Sequence, residues 1–265
     1  MNPRQLRQLL QHAGTQIDVV IDRPAAGAGP AVVLLPSSQR DSLDFDDLAG
    51  RIAQAGFVVL RPQPRGMGRS SEPADGLTLN HLAQDVAVVV EQLGAGRAVL
   101  VGHAYGHFVA RVADLNHPHL VRGVVALGAA ARVFPAGMVE ALAIASDPQR
   151  QQALRLEKLR LAMFAPGNDA RPWLAGWYPQ WREVYRKAAT VPGKDQWWPV
   201  ANAPLLDLQG AEDPWRPAAT RSELKDVLGD KVTVRVIPGA SHALVPERPA
   251  AVAREIVDWV GTLPP

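Results

Sequence analysis

A turn flanked by two glycines joins a short strand to a helix, and no other stretch constrains the fold as strongly. The strand is the apolar run Ala98–Val101, and apolar residues then recur at helical spacing from about Tyr105 to Asn116. Gly102 and Gly106 each stand two residues from Ala104, where a Cβ would clash with a neighbouring strand or helix. The pattern predicts a strained turn that projects the side chain of residue 104 above a sheet. The backbone N–H groups at the start of the following helix would stabilise negative charge beside it.

Strand-like and helix-like segments alternate along most of the chain, which is typical of βαβ units and a mostly parallel sheet. Gln16–Ile21 alternates polar and apolar residues and is predicted as an edge strand. The other predicted strands are mainly apolar: Ala31–Leu35, Phe57–Leu60, Val121–Leu127, Leu205–Leu208 and Val232–Ile237. Helices are predicted at Asp44–Ala55, Leu79–Leu93, Ala218–Leu228 and Pro249–Thr262.

Residues 132–200 contain no convincing strand and interrupt this alternation. They hold helical pieces such as Pro148–Phe164, and three tryptophans that follow helical spacing, Trp173, Trp177 and Trp181. We predict one α/β domain, residues 1–131 and 201–265, with a helical insertion at 132–200. The three tryptophans are expected on one helix face, where most of them would dock the insertion onto the sheet domain.

Composition narrows the classes of function. The chain has no cysteine, which excludes a thiolate nucleophile, a disulfide scaffold and a cysteine-ligated metal. Its 28 Lys+Arg nearly balance its 26 Asp+Glu and form no basic run, which argues against nucleic acid as a partner. Met1–His12 is too polar for a signal peptide, and no apolar run approaches the roughly 18 residues of a membrane span. We therefore expect a cytoplasmic protein without a membrane partner.

Four loops resemble those of the α/β-hydrolase family, and the resemblance covers nearly the whole chain. Each loop follows a predicted strand, and their order along the chain is that of the family. Beside the glycine-flanked turn, the loops are Leu34–Ser38, Gln63–Ser70, Gly210–Pro217 and Gly239–Pro249. The implied fold is a mostly parallel sheet with helices on both faces, roofed by a helical cap at residues 132–200.

The resemblance also implies a serine-hydrolase-like site. His242 would be the catalytic base, Asp213 the acid that orients it, and Ala104 occupies the nucleophile position. The backbone N–H groups of Ser38 and Tyr105 would form the oxyanion hole. A small apolar or aromatic substrate is expected. Its predicted contacts are Ser37, His103, Trp177, Trp181 and Trp215.

Ala104 departs from the family pattern, because a methyl group cannot attack a carbonyl. Three interpretations stay open: a form in which alanine replaces serine, an enzyme that uses His242 and Asp213 without a covalent intermediate, and a non-catalytic ligand-binding member. The second would activate water, or move a proton in decarboxylation or carbon–carbon cleavage. The sequence slightly favours the first, a hydrolase of an ester, lactone or amide. A dehalogenase or epoxide hydrolase would need a carboxylate at residue 104.

His103 and His107 stand four residues apart, as a metal-binding pair on a helix would. Because residue 103 lies inside the turn and no third ligand follows, we predict no metal. The implied mechanism needs no cofactor, only a small-molecule substrate, and we expect a monomer or a homodimer.

Residues 150–195 carry nine Lys and Arg side chains but only four Asp and Glu side chains. This excess would attract an anionic substrate. Solvated helix faces explain the same excess equally well, so the sequence leaves the charge of the substrate open.

Overall fold

A computed structural model describes residues 5–25 and 29–264. Residues 1–4, the start of the segment that we predict not to be a signal peptide, lie outside this part. The strands are β1 (Gln5–His12), β2 (Thr15–Asp22), β3 (Val32–Leu35), β4 (Val59–Pro62), β5 (Ala98–His103), β6 (Val121–Leu127), β7 (Leu205–Gly210) and β8 (Val232–Ile237). They form one eight-stranded sheet in the described part of the chain, with the order β1-β2-β4-β3-β5-β6-β7-β8.

The sheet is mostly parallel, as predicted. Only the β1–β2 and β2–β4 pairs among the described strands are antiparallel. The sequence prediction misses β1, because most of its side chains are polar and exposed and its backbone pairing with β2 holds it in the sheet. Since β1 covers β2, the prediction of Gln16–Ile21 as an edge strand is wrong.

Helices lie on both faces of the sheet. In the sheet domain they are α1 (Asp46–Gln54), α2 (Leu79–Leu93), α3 (Tyr105–Asn116), α8 (Glu223–Leu228), α9 (Leu244–Glu247) and α10 (Pro249–Thr262). Because alternate strand residues point to opposite faces, Leu100 packs with α2 and α3, whereas Val99 and Val101 pack with α1 and α10. Burial from both sides explains why the central strands are continuous apolar runs.

The insertion at residues 132–200 is described throughout and contains helices and turns without a strand. Its helices are α4 (Met138–Ser146), α5 (Gln152–Ala162), α6 (Arg182–Ala188) and α7 (Lys194–Trp197). Trp173 packs with α4, α5 and Ala243, while Trp197 and Trp198 join the core beside α3. The insertion therefore packs against the sheet domain through both of these clusters. Over residues 5–25 and 29–264, no helix is long and apolar enough to cross a membrane.

The prediction that Trp173, Trp177 and Trp181 share one helix is wrong. Trp173 and Trp181 lie in separate short 3₁₀ turns, and Gly176 between them has a φ of +77° that no helix contains. The rings of Trp173 and Trp177 still meet edge to face at 6.0 Å between centroids. Trp181 lies elsewhere and donates a hydrogen bond from its indole N–H to the carbonyl of Gly66, at 3.0 Å.

Candidate active site

The turn at Ala104 has the strained geometry that the sequence predicts. Ala104 adopts φ +46° and ψ −112°, a sparsely populated region that costs about 1–3 kcal/mol for a residue with a Cβ. A Cβ at Gly102 would lie 2.3 Å from the backbone of Gly106, and one at Gly106 would lie 2.1 Å from the carbonyl oxygen of Leu35. The Ala104 N–H donates to the carbonyl of Leu127 at 3.0 Å, which ties the turn to β6. Both glycines are therefore required sterically.

His242 and Asp213 come together although they lie on separate loops. Asp213 follows β7 and His242 follows β8, so both side chains stand beyond the carboxyl ends of neighbouring strands. His242 Nδ1 lies 3.0 Å from Asp213 Oδ2, and both residues are 4% exposed. A neutral imidazole that donates from Nδ1 keeps its Nε2 lone pair as a proton acceptor. The pair can therefore act as an oriented general base.

Trp215 holds both members of this pair. Its backbone N–H donates to Asp213 Oδ1 at 2.8 Å, and its indole stacks on the imidazole of His242 with ring centroids 5.2 Å apart. The indole N–H donates in turn to the carbonyl of Ala162, at the end of α5. Trp215, predicted as a substrate contact, is only 4% exposed. Its contacts orient the imidazole and the carboxylate.

His103 joins the turn to the His242 loop. Its Nε2 lies 2.8 Å from the carbonyl oxygen of His242, so the ring donates from Nε2. Burial lowers the pKa of His103 to about 3, and its side chain is neutral at physiological pH. His103, also predicted as a substrate contact, thus supports the loop that carries the base. His107 is buried in the first turn of α3 and lies against the carbonyl of Ala104.

The loop after β3 lies against the start of α3. Ser37, Ser38 and Tyr105 all line one largely apolar cavity of about 50 Å³. This volume is about a third of that of an engineered cavity of about 150 Å³ that binds benzene, so it has room for a few non-hydrogen atoms. Trp177 and Trp181, predicted as substrate contacts, do not line this cavity.

Arg40 links the same loop to the insertion. Its guanidinium lies over the rings of Trp173 and Trp177, at 4.3 and 4.8 Å from their centroids. It also pairs with Asp44 and donates to the carbonyl of Ala175 at 2.6 Å. Trp177 is therefore part of a cation–π stack between the insertion and the loop.

Glu247 is a residue to which the sequence assigns no role. Its carboxylate accepts three hydrogen bonds of 2.6 Å, from the backbone N–H groups of Ser241 and Ala165 and from the side-chain amide of Asn168. Burial raises the pKa of Glu247, and these donors oppose that rise. The carboxylate thus binds the residue before His242 to the turn after α5. Its only sequence signal is its position in the loop Gly239–Pro249.

The described residues contain no group of three or more His, Cys, Asp or Glu side chains that could hold a metal ion. His103 and His107 each face a backbone carbonyl, that of His242 and that of Ala104 respectively.

A mostly parallel eight-stranded sheet, with a strained turn after β5 and a His–Asp pair after its last two strands, defines an α/β-hydrolase fold. The model of the alpha/beta hydrolase family matches residues 32–255. The chain belongs to this family.

Solved structures and curated relatives agree with this assignment. An esterase from Exiguobacterium antarcticum superposes with a TM-score of 0.80 at 21% identity, over 97% of this chain and all of that one. Epoxide hydrolase A of Mycobacterium tuberculosis is 24% identical over 91% of this chain and 93% of its own length. A 2-(acetamidomethylene)succinate hydrolase of Mesorhizobium japonicum is 34% identical over 38% of this chain. That match spans 36% of the relative's length.

Proposed function

We propose that this chain is a hydrolase of an ester, lactone or amide bond, built around His242 and Asp213, in which alanine occupies the position of the nucleophilic serine. The observation that carries the proposal is the 3.0 Å contact between His242 Nδ1 and Asp213 Oδ2, in a loop that His103 anchors beside the turn. A ligand-binding protein has no need for such an oriented base.

A serine at residue 104 would attack the substrate carbonyl while His242 Nε2 takes its proton. Asp213 would stabilise the imidazolium, and the N–H groups of Ser38 and Tyr105 would bind the oxyanion. His242 would then protonate the leaving group. In the second half of the cycle His242 would take a proton from water, the resulting hydroxide would attack the acyl carbonyl, and the bond to the serine oxygen would break as His242 returns the proton to that oxygen. The small cavity described above adjoins Ser38 and Tyr105, the two proposed oxyanion donors.

The second candidate is an enzyme in which Ala104 is native and His242 acts without a covalent intermediate, in hydrolysis, decarboxylation or carbon–carbon cleavage. Two observations support this second candidate. The hydrogen-bonded pair of His242 and Asp213 is formed although the side chain of residue 104 has no oxygen atom. The neighbouring Ser241 cannot replace that oxygen, because it is 1% exposed and its hydroxyl donates to the carbonyl of Glu212.

Several relatives are named epoxide hydrolases. Their reaction is not proposed for this chain, since it would need a carboxylate where Ala104 stands. The name of the Mesorhizobium japonicum relative, a hydrolase of an acetamidomethylene compound, is compatible with the proposed class of bond.

The test compares this chain with its Ala104→Ser variant on short-chain p-nitrophenyl esters and in labelling by a fluorophosphonate. We expect the variant to be labelled and to gain at least about 100-fold in kcat/KM, because the nucleophile and base act as a unit. Adding His242→Ala to the variant should abolish both effects.

A variant that stays inert and unlabelled, beside an Ala104 chain that turns over substrate, would replace the proposal with the second candidate. If His242→Ala leaves ligand affinity and every activity of both forms unaltered, the chain is a binding protein.

A further inference from the structure

A second pocket lies at the edge of the sheet opposite to the candidate active site. Segments that line it come just before parallel strands: Gly29 and Pro30 before β3, Val58 before β4, and residues between 93 and 97 before β5. Asp213 and His242 follow their strands, whereas this pocket lies at the amino ends of the strands. Its volume of about 480 Å³ is in the range of pockets that hold small molecules, about 300–1,000 Å³.

The side chains that line this pocket are positively charged on one part of its wall. Arg23, Arg97 and Arg122 are lining residues, and no Asp or Glu is among the described ones. None of the three arginines forms an ion pair with a carboxylate of the described residues. We call this pocket the arginine pocket.

Backbone carbonyls hold two of the three guanidinium groups in place. Arg97 donates to the carbonyl of Val121 from Nε at 3.2 Å and from Nη2 at 2.7 Å. Arg122 is the next residue along β6, and it donates to the carbonyls of Pro264 at 3.0 Å and Leu263 at 3.2 Å. A carbonyl oxygen has no full charge, so these bonds position the guanidinium groups without neutralising them. Each group has five N–H donors, and some of them stay available to a ligand.

The carboxyl end of α2 reaches the same pocket through Leu93 and Gly94. The dipole of a helix places about half a negative charge at that end. Three arginines carry three full positive charges, because a guanidinium is not deprotonated in proteins. The arginine pocket therefore keeps a net positive charge, which attracts an anion.

The rest of the pocket wall is mainly apolar, with Pro30, Val58, Leu93 and Ala95 among its lining residues. An apolar part of a ligand would be shielded from water there. A phosphate monoester has between one and two negative charges at pH 7 and three strong acceptor oxygens. The planar guanidinium of arginine matches phosphate oxygens with pairs of parallel N–H bonds. The two parts of the wall together fit an organic phosphate.

We propose that the arginine pocket is a binding site for a small organic phosphate. Arg23, Arg97 and Arg122 bind its phosphate group, and the apolar wall contacts its organic part. The inference goes beyond the proposed hydrolase function and does not depend on it, because the pocket uses none of the residues of the candidate active site.

The test measures the Kd values of phenyl phosphate, inorganic phosphate and phenol by calorimetry at low ionic strength. We expect phenyl phosphate to bind about 10- to 100-fold more tightly than phenol, the range for hydrogen bonds to a charged group. It should also bind more tightly than inorganic phosphate, because its ring contacts the apolar wall. Arg97→Gln and Arg122→Gln should each weaken the binding of phenyl phosphate by about 10-fold or more.

Arg160→Gln is the matched control, since it removes the same charge from an exposed position on α5 in the insertion. It should leave the Kd of phenyl phosphate unchanged. Arg23 is exposed, so Arg23→Gln keeps the proposal testable if melting curves show that Arg97→Gln or Arg122→Gln does not fold.

A second readout locates the ligand. In ¹H–¹⁵N NMR spectra, phenyl phosphate should shift the backbone amide signals of Gly29 and Gly94, whereas those of Asp213 and His242 should stay in place.

The inference is overturned if phenyl phosphate binds no better than phenol, or if Arg23→Gln and Arg160→Gln weaken its binding equally. It is also overturned if the amide signals of His242 shift instead of those of Gly29 and Gly94. Equal Kd values for phenyl phosphate and inorganic phosphate would reject the organic phosphate and leave only an anion on a charged surface.

Discussion

Glu247→Gln tests whether the buried carboxylate behind His242 positions the base. In the structure Oε1 accepts from Ala165 and Asn168, while Oε2 accepts from the backbone N–H of Ser241. Glutamine has a single acceptor oxygen, and its NH₂ group would face one of these donors. We expect a loss of about 2–4 kcal/mol in the free energy of unfolding, from one unpaired buried N–H and weaker, uncharged remaining bonds.

The local effect should appear at His242. Because Ser241 directly precedes His242, weakening the hydrogen bond from the Ser241 N–H to residue 247 should allow the imidazole of His242 to move away from Asp213. In ¹H NMR, the Nδ1–H resonance should broaden and exchange faster with water in Glu247→Gln. In the Ala104→Ser background, kcat should fall more than KM changes, because the substrate contacts are untouched.

Glu255→Gln is the matched control, since Glu255 on α10 forms a long ion pair of 3.7 Å with Arg235. It should cost less than about 1 kcal/mol, as solvent-exposed pairs do. Urea denaturation measures both variants. Equal small losses in Glu247→Gln and Glu255→Gln, with an unchanged Nδ1–H resonance, would refute the positioning role of Glu247.

Two further predictions concern the turn and its support. Gly106→Ala should unfold the turn and cost more than about 3 kcal/mol, because its Cβ would lie 2.1 Å from a carbonyl oxygen of β3. Gly50→Ala, with open space around it in α1, should be neutral or stabilise by up to about 1 kcal/mol in thermal melts. His103 has a pKa of about 3 in the folded protein, so as the pH falls its imidazole is protonated in the unfolded chain before it is protonated in the folded one. Its stabilisation, present above about pH 6.5, should fall by about 1.4 kcal/mol per pH unit towards pH 3. His103→Gln, which can still donate to the carbonyl of His242, should flatten this dependence in denaturation curves, whereas the exposed His119→Gln should not; an unchanged slope in His103→Gln would contradict the reasoning.

Local patterns in the sequence were sufficient to predict the elements that carry the site. The predicted bounds of α2, α3, β6, β8 and α10 match the structure. These elements have strong local signals, such as the Thr78 cap and Gly94 stop of α2 and the glycines around Ala104. The order of the loops was also readable, because each follows a continuous apolar strand.

Contacts between distant segments were decided only by the tertiary structure. The support of His242 by Trp215 and His103 joins loops that are far apart in the chain, and Glu247 ties the His242 loop to the turn after α5. The tryptophan spacing pointed to a helix that Gly176 prevents, and β1 exists because it pairs with its neighbour. Periodicity and turn residues report local backbone preference, whereas a buried polar group is stabilised by whichever partner the fold brings within hydrogen-bond distance.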